Sequence, residues 1–417
     1  MYCGSCLRDN ALAAELKARG HDVVLVPLYT PTLTDEPNVS ESRVLFGGIS
    51  VYLQQQARVF RSLPRFIDKV LDAPWLLEKA SSGSISTAPR GLGELTISML
   101  KGEDGNQRRE FEKMLDWVAA EPPPEVVQLP NALLASLAPP LKRELKRPIH
   151  CTLQGEDLFL DGLDAHHRKG AVELIRKHAA SIDRFTPVSE YYADYMAKYI
   201  GIARDRMDVV PLGINVSGFE RNAPGETGVP FRVGYLARVA PEKGLHQLCD
   251  AYVRFRRMPG VGAAQLHVAG YLAADHKAYL EKARETLGKA GLGQEFHFHG
   301  TVDRAAKIAF LKNLDVFSVP TVYVEPKGLF LLEAMACGVP VVQPRHGAFP
   351  EIIAKTGGGV LVEPDSAQNL ADGLHQLWSD AGLRSSLGAS GHAGVRQHYT
   401  VARSADRMLA AYERSLC

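Results

Sequence analysis

The chain has 417 residues, 46% of them hydrophobic and 23% charged, with a formal net charge of +1. This composition belongs to a soluble globular protein, and the length suits two domains better than one core. The near-zero charge argues against a dedicated nucleic-acid binder. The longest apolar runs are only strand-length, and no basic segment leads into an apolar one as in a secretory leader.

Cys3-Gly4-Ser5-Cys6 opens the chain. With no preceding strand and no second such pair, it reads as a small-residue loop rather than a redox or zinc motif. The other four of the six cysteines are scattered, so no disulfide framework is expected and a cytoplasmic setting is. Leu7, Ala11, Leu12 and Leu16 share one helical face, which Gly20 ends. "HDVVLVPLY" then reads as a strand buried on both faces, and "EVVQLP", "RPIHCTL", "DRFTPVS" and "MDVVPLGI" as further strands. "YYADYMAKYI" has the pattern of a helix between two of them. From about 46 to 120 the rhythm breaks, and a mostly helical insertion is expected there. Within it Arg58, Arg61, Arg65 and Lys69 recur at helical spacing beside apolar residues. That stretch is either a solvated face or a contact with an anionic membrane leaflet.

The first domain is therefore placed at 1–219, followed by a Gly/Pro-rich linker at 220–230. Alternation restarts in a second domain, 228–395, with predicted strands in "FRVGYLAR", "AQLHVAGY", "EFHFHGTV", "LDVFSVPTV", "VPVVQPR" and "GGVLVEP". A last helical segment, 396–417, is expected to pack back toward the first domain. The fold class is α/β: two doubly wound domains with parallel sheets facing a central cleft, where strand C-termini bind ligands.

The most informative stretch is "VPTVYVEPKGLFLLEAMACGVPVVQP". A strand is expected to end near Val322, and a helix to run from about Leu329 to Cys337. The N–H groups of Gly328, Leu329 and Phe330 then point out of a helix N-terminus, which attracts phosphate. Glu325 and Glu333 lie eight positions apart, and Glu333 is surrounded by apolar neighbours where an unpartnered carboxylate is costly. Two carboxylates beside such a helix end suit a nucleotide sugar, with ribose at one end and hexose at the other. In "VGYLARVAPEKG", Arg238 and Lys243 follow a strand and can neutralise a diphosphate. His297 and His299 alternate on one strand without a third ligand at a convincing spacing, and no metal is expected at them.

These motifs resemble the donor-binding domain of the family 4 retaining glycosyltransferases of GT-B fold, also called glycosyl transferases group 1. The resemblance rests on Glu325-x7-Glu333 within "PxxxxEPxGLxxLEAMACGVPVV" and on "GxLxRxxPEKG". It extends more weakly through "ELKARGHDVVLV", "PVSEYYADYM" and "VVPLGINVSGF". It implies a metal-independent hexosyltransferase that uses a nucleotide-diphosphate sugar as co-substrate and acts on a glycan, lipid-linked or small-molecule acceptor. The implied catalytic set is Glu325, facing the sugar, with Arg238 and Lys243 on the diphosphate. Glu333 would hold the ribose, and the Gly328, Leu329 and Phe330 backbone would line the donor pocket. Retention by a front-face route is also implied, the departing phosphate oxygen taking the acceptor proton.

Two residues depart from the family pattern. Lys327 stands where an aromatic is usual, and Gln154 of "LQGED" stands where a histidine is usual. Gln154 can hydrogen-bond a sugar but cannot titrate. Together with the Gly4-Ser5 loop it is the acceptor-side candidate. In the GT-B pattern a buried strand precedes that loop, so the first domain is expected to lack its first strand. Two other readings stay open: a donor-binding GT-B protein without turnover, and a GT-B phosphorylase or epimerase. The expected location is cytoplasmic, with the inner membrane face as a peripheral site and no nucleic-acid partner.

Overall fold

The computed structural model describes residues 4–29, 31–32, 34–56, 91–221 and 230–416. Cys3, the basic stretch Arg58 to Lys69 and most of the 220–230 linker lie outside these residues. The chain divides into two compact units, one made by Tyr2–Pro211 with Ser404–Cys417 and the other by Leu212–Arg403.

In the first unit, β1 (Val127–Leu129), β2 (Ile149–Leu153) and β3 (Arg184–Pro187) form a parallel sheet in that order. Every residue of β2 is buried, as in a central strand covered on both faces. The helix Glu190–Ile200 starts where Ser189 accepts the Tyr192 N–H and stops at Gly201, whose φ of 69° closes the last turn. The described parts of the 46–120 region are the helices Gly48–Gln56, Gly93–Leu100 and Arg108–Ala120. Glu110 is buried among them, accepting from Ser50 Oγ at 2.7 Å and Gln54 Nε2 at 2.6 Å, with Lys113 Nζ 2.8 Å away. The final helix, Val401–Leu416, packs Ala405 and Met408 against Leu12, Leu16 and Val210 of this unit.

Four expected elements take a different form. Gly4 and Ser5 are the first turn of the helix Gly4–Ala18 rather than a loop. The "HDVVLVPLY" run forms no strand, and among the described residues its one bridge is Leu28 to Leu45. A strand needs a laddered neighbour, and Pro27 has no N–H to donate. "MDVVPLGI" lies beside β3, where the Asp208 and Val210 N–H groups reach the Phe185 and Pro187 carbonyls, and Pro211 then interrupts it. In the second unit, the strand expected to end near Val322 stops at Phe317.

The second unit contains β4 (Phe231–Leu236), β5 (Ala264–Ala269), β6 (Phe296–Phe298), β7 (Val316–Phe317), β8 (Val341–Pro344) and β9 (Gly359–Val362). All pair in parallel, in the order β6-β5-β4-β7-β8-β9. The order reverses between β4 and β7, the first and fourth strands of this unit. That is the switch point at which doubly wound sheets bind ligands beyond the strand C-termini. Val233, Tyr235, Leu266, Val268, Val316, Phe317, Val341 and Val342 are fully buried there. Each fully buried aliphatic side chain contributes about 1.5–3 kcal/mol, so the loops at the switch point rest on a rigid floor.

Candidate functional site

Two loops meet at this switch point. The β4 loop carries Arg238 to Gly244, and the β7 loop carries Ser318 to Gly328. Gly244 has φ 73°, and a Cβ there would lie 1.7 Å from the Pro320 carbonyl oxygen, so only glycine lets the loops approach. The Val322 N–H donates to the Glu242 carbonyl at 2.9 Å and joins them further. A third loop, after β8, closes on the same place. Its Ala348 N–H donates to the Glu325 carbonyl at 2.9 Å, and a Cβ on Gly347 would lie 2.3 Å from that oxygen.

The three loops bury Glu325, which is 2% exposed. Its Oε2 accepts from Lys243 Nζ at 2.7 Å and from the Tyr323 hydroxyl at 2.6 Å. Its Oε1 accepts the Lys327 backbone N–H at 3.2 Å. Tyr323 in turn accepts from Lys243 Nζ at 3.2 Å. The ammonium lies 4.8 Å from the Tyr323 ring centre and 5.5 Å from that of Phe330. Burial alone pushes the Glu325 carboxyl up, but Lys243, Tyr323 and Lys327 outweigh it and hold the group below its usual range. Glu325 is thus a buried carboxylate favoured in its charged form, with that charge matched by a lysine.

Gly328 caps the helix Leu329–Ala336 with φ 74° and offers no side chain to the first-turn N–H groups. Phe330 packs between Phe317 and Phe349, with ring centres 6.4 and 6.1 Å away. Glu333, on the second turn of that helix, pairs with Lys307 Nζ at 2.6 Å. Arg238 pairs with Glu242 four residues on, and its side chain keeps 39% exposure. The structure therefore brings Lys243 and Glu325 together. Among the described residues it shows no hydrogen bond or ion pair between Glu325 and Glu333, or between Arg238 and Lys243.

Gln154 is 3% exposed at the end of β2, where its Nε2 donates to the Pro130 carbonyl at 2.6 Å. The centre of that turn is Glu156. It accepts from the Gln154 and Gly155 N–H groups at 2.8 and 2.9 Å and from the Ala132 N–H at 3.0 Å, and it shares the Tyr192 hydroxyl, 3.0 Å away, with Asp157 Oδ1 at 2.7 Å. No hydrogen bond between Gly4 or Ser5 and Gln154 is seen among the described residues. His297 and His299 do gain a neighbour, His267 of β5, whose ring stacks on both at 4.9 and 5.3 Å. Among the described residues no group of three His, Cys, Asp or Glu side chains could hold a metal ion.

Sequence reasoning missed Tyr323, Lys307 and Glu156. Tyr323 had a weak signal, a hydrogen-bonding side chain only two residues before Glu325. Lys307 had none, because it sits on another helix, Arg304–Lys312.

A parallel sheet of this order, with a buried carboxylate–lysine pair and an uncapped helix at its switch point, defines a doubly wound α/β unit. Comparison with known proteins narrows the class. Residues 9–213 match the glycosyl transferase 4-like domain, and residues 217–393 match the glycosyl transferases group 1 family. The chain belongs to the glycosyl transferases group 1, 4-like family. An uncharacterised glycosyltransferase of Methanocaldococcus jannaschii is 28% identical over 60% of this chain and 64% of its own. A phosphatidyl-myo-inositol mannosyltransferase of Mycobacterium leprae is 33% identical over 49% of this chain and 52% of its own. The chain thus spans between half and two thirds of these relatives. Among solved structures, a sucrose-phosphate synthase of Thermosynechococcus elongatus superposes with a TM-score of 0.68 at 19% identity, covering 97% of this chain and 91% of that one. The Anabaena protein HepE, crystallised with UDP, gives 0.65 at 17% identity, covering 94% and 100%. At these identities the likeness is one of fold, and the fold is GT-B-like.

Proposed function

We propose that the chain is a retaining, metal-independent glycosyltransferase that moves a hexose from a nucleotide-diphosphate sugar to a glycan, lipid-linked or small-molecule acceptor. The observation that carries the reading is the buried Glu325, held ionised at the switch point beside Lys243 and the helix end at Gly328. In this reading Lys243 and Arg238 neutralise the diphosphate, and the Gly328–Phe330 backbone donates to phosphate and sugar. Glu333 takes the ribose hydroxyls, and Glu325 faces the hexose. The bond from C1 to the phosphate oxygen breaks while the acceptor oxygen bonds to C1 on the same face. The leaving phosphate oxygen then takes the acceptor's proton. Fixed cations and N–H dipoles that stabilise charge on such a leaving group usually supply the largest share of the rate enhancement. Gln154 lies on the acceptor side as a hydrogen-bonding group.

Hexosyl transfer is supported by the relatives named as mannosyltransferases, one of them GDP-mannose-dependent in Mycobacterium tuberculosis and 29% identical to this chain. Among the described residues no helix is long and apolar enough to cross a membrane. In this reading a lipid-linked acceptor is reached by peripheral contact of the basic Arg58–Lys69 stretch with the inner, cytoplasmic leaflet. Co-sedimentation with anionic but not neutral liposomes tests that contact.

The function is tested by incubating the protein with a panel of nucleotide sugars, with and without acceptors, and comparing Glu325→Gln. One donor is expected to be turned over, and the variant to lose at least about 100-fold in rate. Donor binding without turnover across the panel would overturn the reading in favour of a non-catalytic donor-binding protein.

A further inference from the structure

Glu325 and the donor diphosphate both call on Lys243, whose ammonium is in contact with Glu325 Oε2. If Lys243 swings to the phosphates, its bond to Glu325 lengthens just when that carboxylate must face the sugar. A buried carboxylate that loses its paired cation incurs heavy desolvation and tends to take up a proton. The structure supplies a second partner on the same oxygen. Tyr323 donates to Oε2 at 2.6 Å from the same loop, two residues before Glu325, so its position does not depend on where the lysine points. The Lys327 N–H keeps Oε1, and the β8 loop fixes the backbone through Ala348.

We propose that Tyr323 is a positioning residue: its hydroxyl holds the Glu325 carboxylate in place and in its charged form while Lys243 is handed over to the donor diphosphate. This rests on the reading of Glu325 and Lys243 given above. In the resting state the hydroxyl sits between the two, accepting from Lys243 and donating to Glu325. When Lys243 leaves, the donation to Glu325 remains, and the ring stays beneath the ammonium's path as a cation–π surface. The titratable and charged groups around Glu325 are Lys243 on the β4 loop, Tyr323 and Lys327 on its own loop, and His346 on the β8 loop. The His346 imidazole is engaged with the Thr321 carbonyl at 2.9 Å.

Tyr323→Phe tests the proposal, since it removes one oxygen and leaves the ring under the lysine. With the donor identified, kcat is expected to fall about 10- to 100-fold, the worth of one hydrogen bond to a charged group. The donor KM should change little, and the acid limb of the kcat–pH profile should move to higher pH. An unchanged kcat, or a loss shared equally by kcat and thermal stability with the acid limb unmoved, would overturn it.

A readout that needs no turnover separates this from failure of the transferase reading. Carboxyl-13C-labelled glutamate is followed by NMR in the intact protein, with the Glu325 signal assigned by its absence in Glu325→Gln. In wild type, saturating UDP or GDP is expected to leave the Glu325 titration below the usual carboxylate range. In Tyr323→Phe either nucleotide should raise it. Superimposable titrations of the two proteins would sink the proposal whether or not the protein turns over any sugar.

Discussion

Each unit buries one carboxylate beyond the C-terminal end of a parallel strand, and the two are neutralised in opposite ways. Glu156, after β2, is held by three backbone N–H groups and a Tyr192 hydroxyl it shares with Asp157, and no ion pair to it is seen among the described residues. Glu325, after β7, is held by one N–H, one hydroxyl and the Lys243 ammonium. Backbone dipoles cannot leave without unfolding the turn, whereas a lysine on four methylenes can turn to another anion. The difference separates a carboxylate that shapes a loop from one that can trade partners during a reaction.

The largest effect should come from removing the exchangeable partner. Lys243→Met leaves Glu325 buried without its cation. It is expected to lose on the order of 3–5 kcal/mol of stability at neutral pH, and all measurable sugar transfer. Urea titrations against pH sharpen the point, because the deficit should shrink on acidification as Glu325 takes up a proton. A deficit that stayed constant down to pH 4 would break the comparison. Glu156→Gln comes next. It turns one acceptor oxygen into a donor facing N–H groups, so about 1–3 kcal/mol should be lost, while donor hydrolysis per folded molecule is unchanged. Thermal melts alongside acceptor-free hydrolysis read both quantities.

A smaller effect concerns pH. The folded-state pKa of Glu325 lies below its ordinary value, so the unfolded chain binds the proton more readily and stability rises with pH through that window. The contribution is complete above the unfolded carboxylate value of about 4.3 and fades as pH falls through the folded one. Glu325→Gln should flatten this acid limb of the stability–pH curve, and an unchanged slope would refute it. Smallest is Glu242→Gln, which releases Arg238 from an exposed pair. Stability should stay within about 1 kcal/mol, and the donor KM should fall by up to about fivefold as Arg238 turns to the diphosphate.

Most of the second unit was legible because its signals are local. Each of its six strands is a short apolar run between turn residues, and Glu325, Gly328 and Glu333 stand within nine residues of one another. What could not be read depends on contacts between distant segments. "HDVVLVPLY" has the composition of a buried strand, yet composition does not supply a ladder, and among the described residues the run bridges only from Leu28 to Leu45. Glu333 was rightly expected to need a partner, but Lys307 is reached only through the packing of another helix. Gln154 drew notice as a departure from a family pattern, while Glu156, two residues on, organises the turn through contacts with Ala132 and Tyr192 that no local spacing announces.

The backbone contact between the β8 loop and Glu325 bears on how the protein is born. Lys243 leaves the ribosome about eighty residues before Glu325, and Gly347 and Ala348 follow later still. Until those last residues are free of the exit tunnel, nothing pins the Glu325 carbonyl, and Lys243 has no buried anion to meet. Domains fold as units during synthesis, N-terminal first. The site is therefore finished late, by a closing loop, and a nascent chain stalled before Gly347 carries both charges without the pocket that joins them.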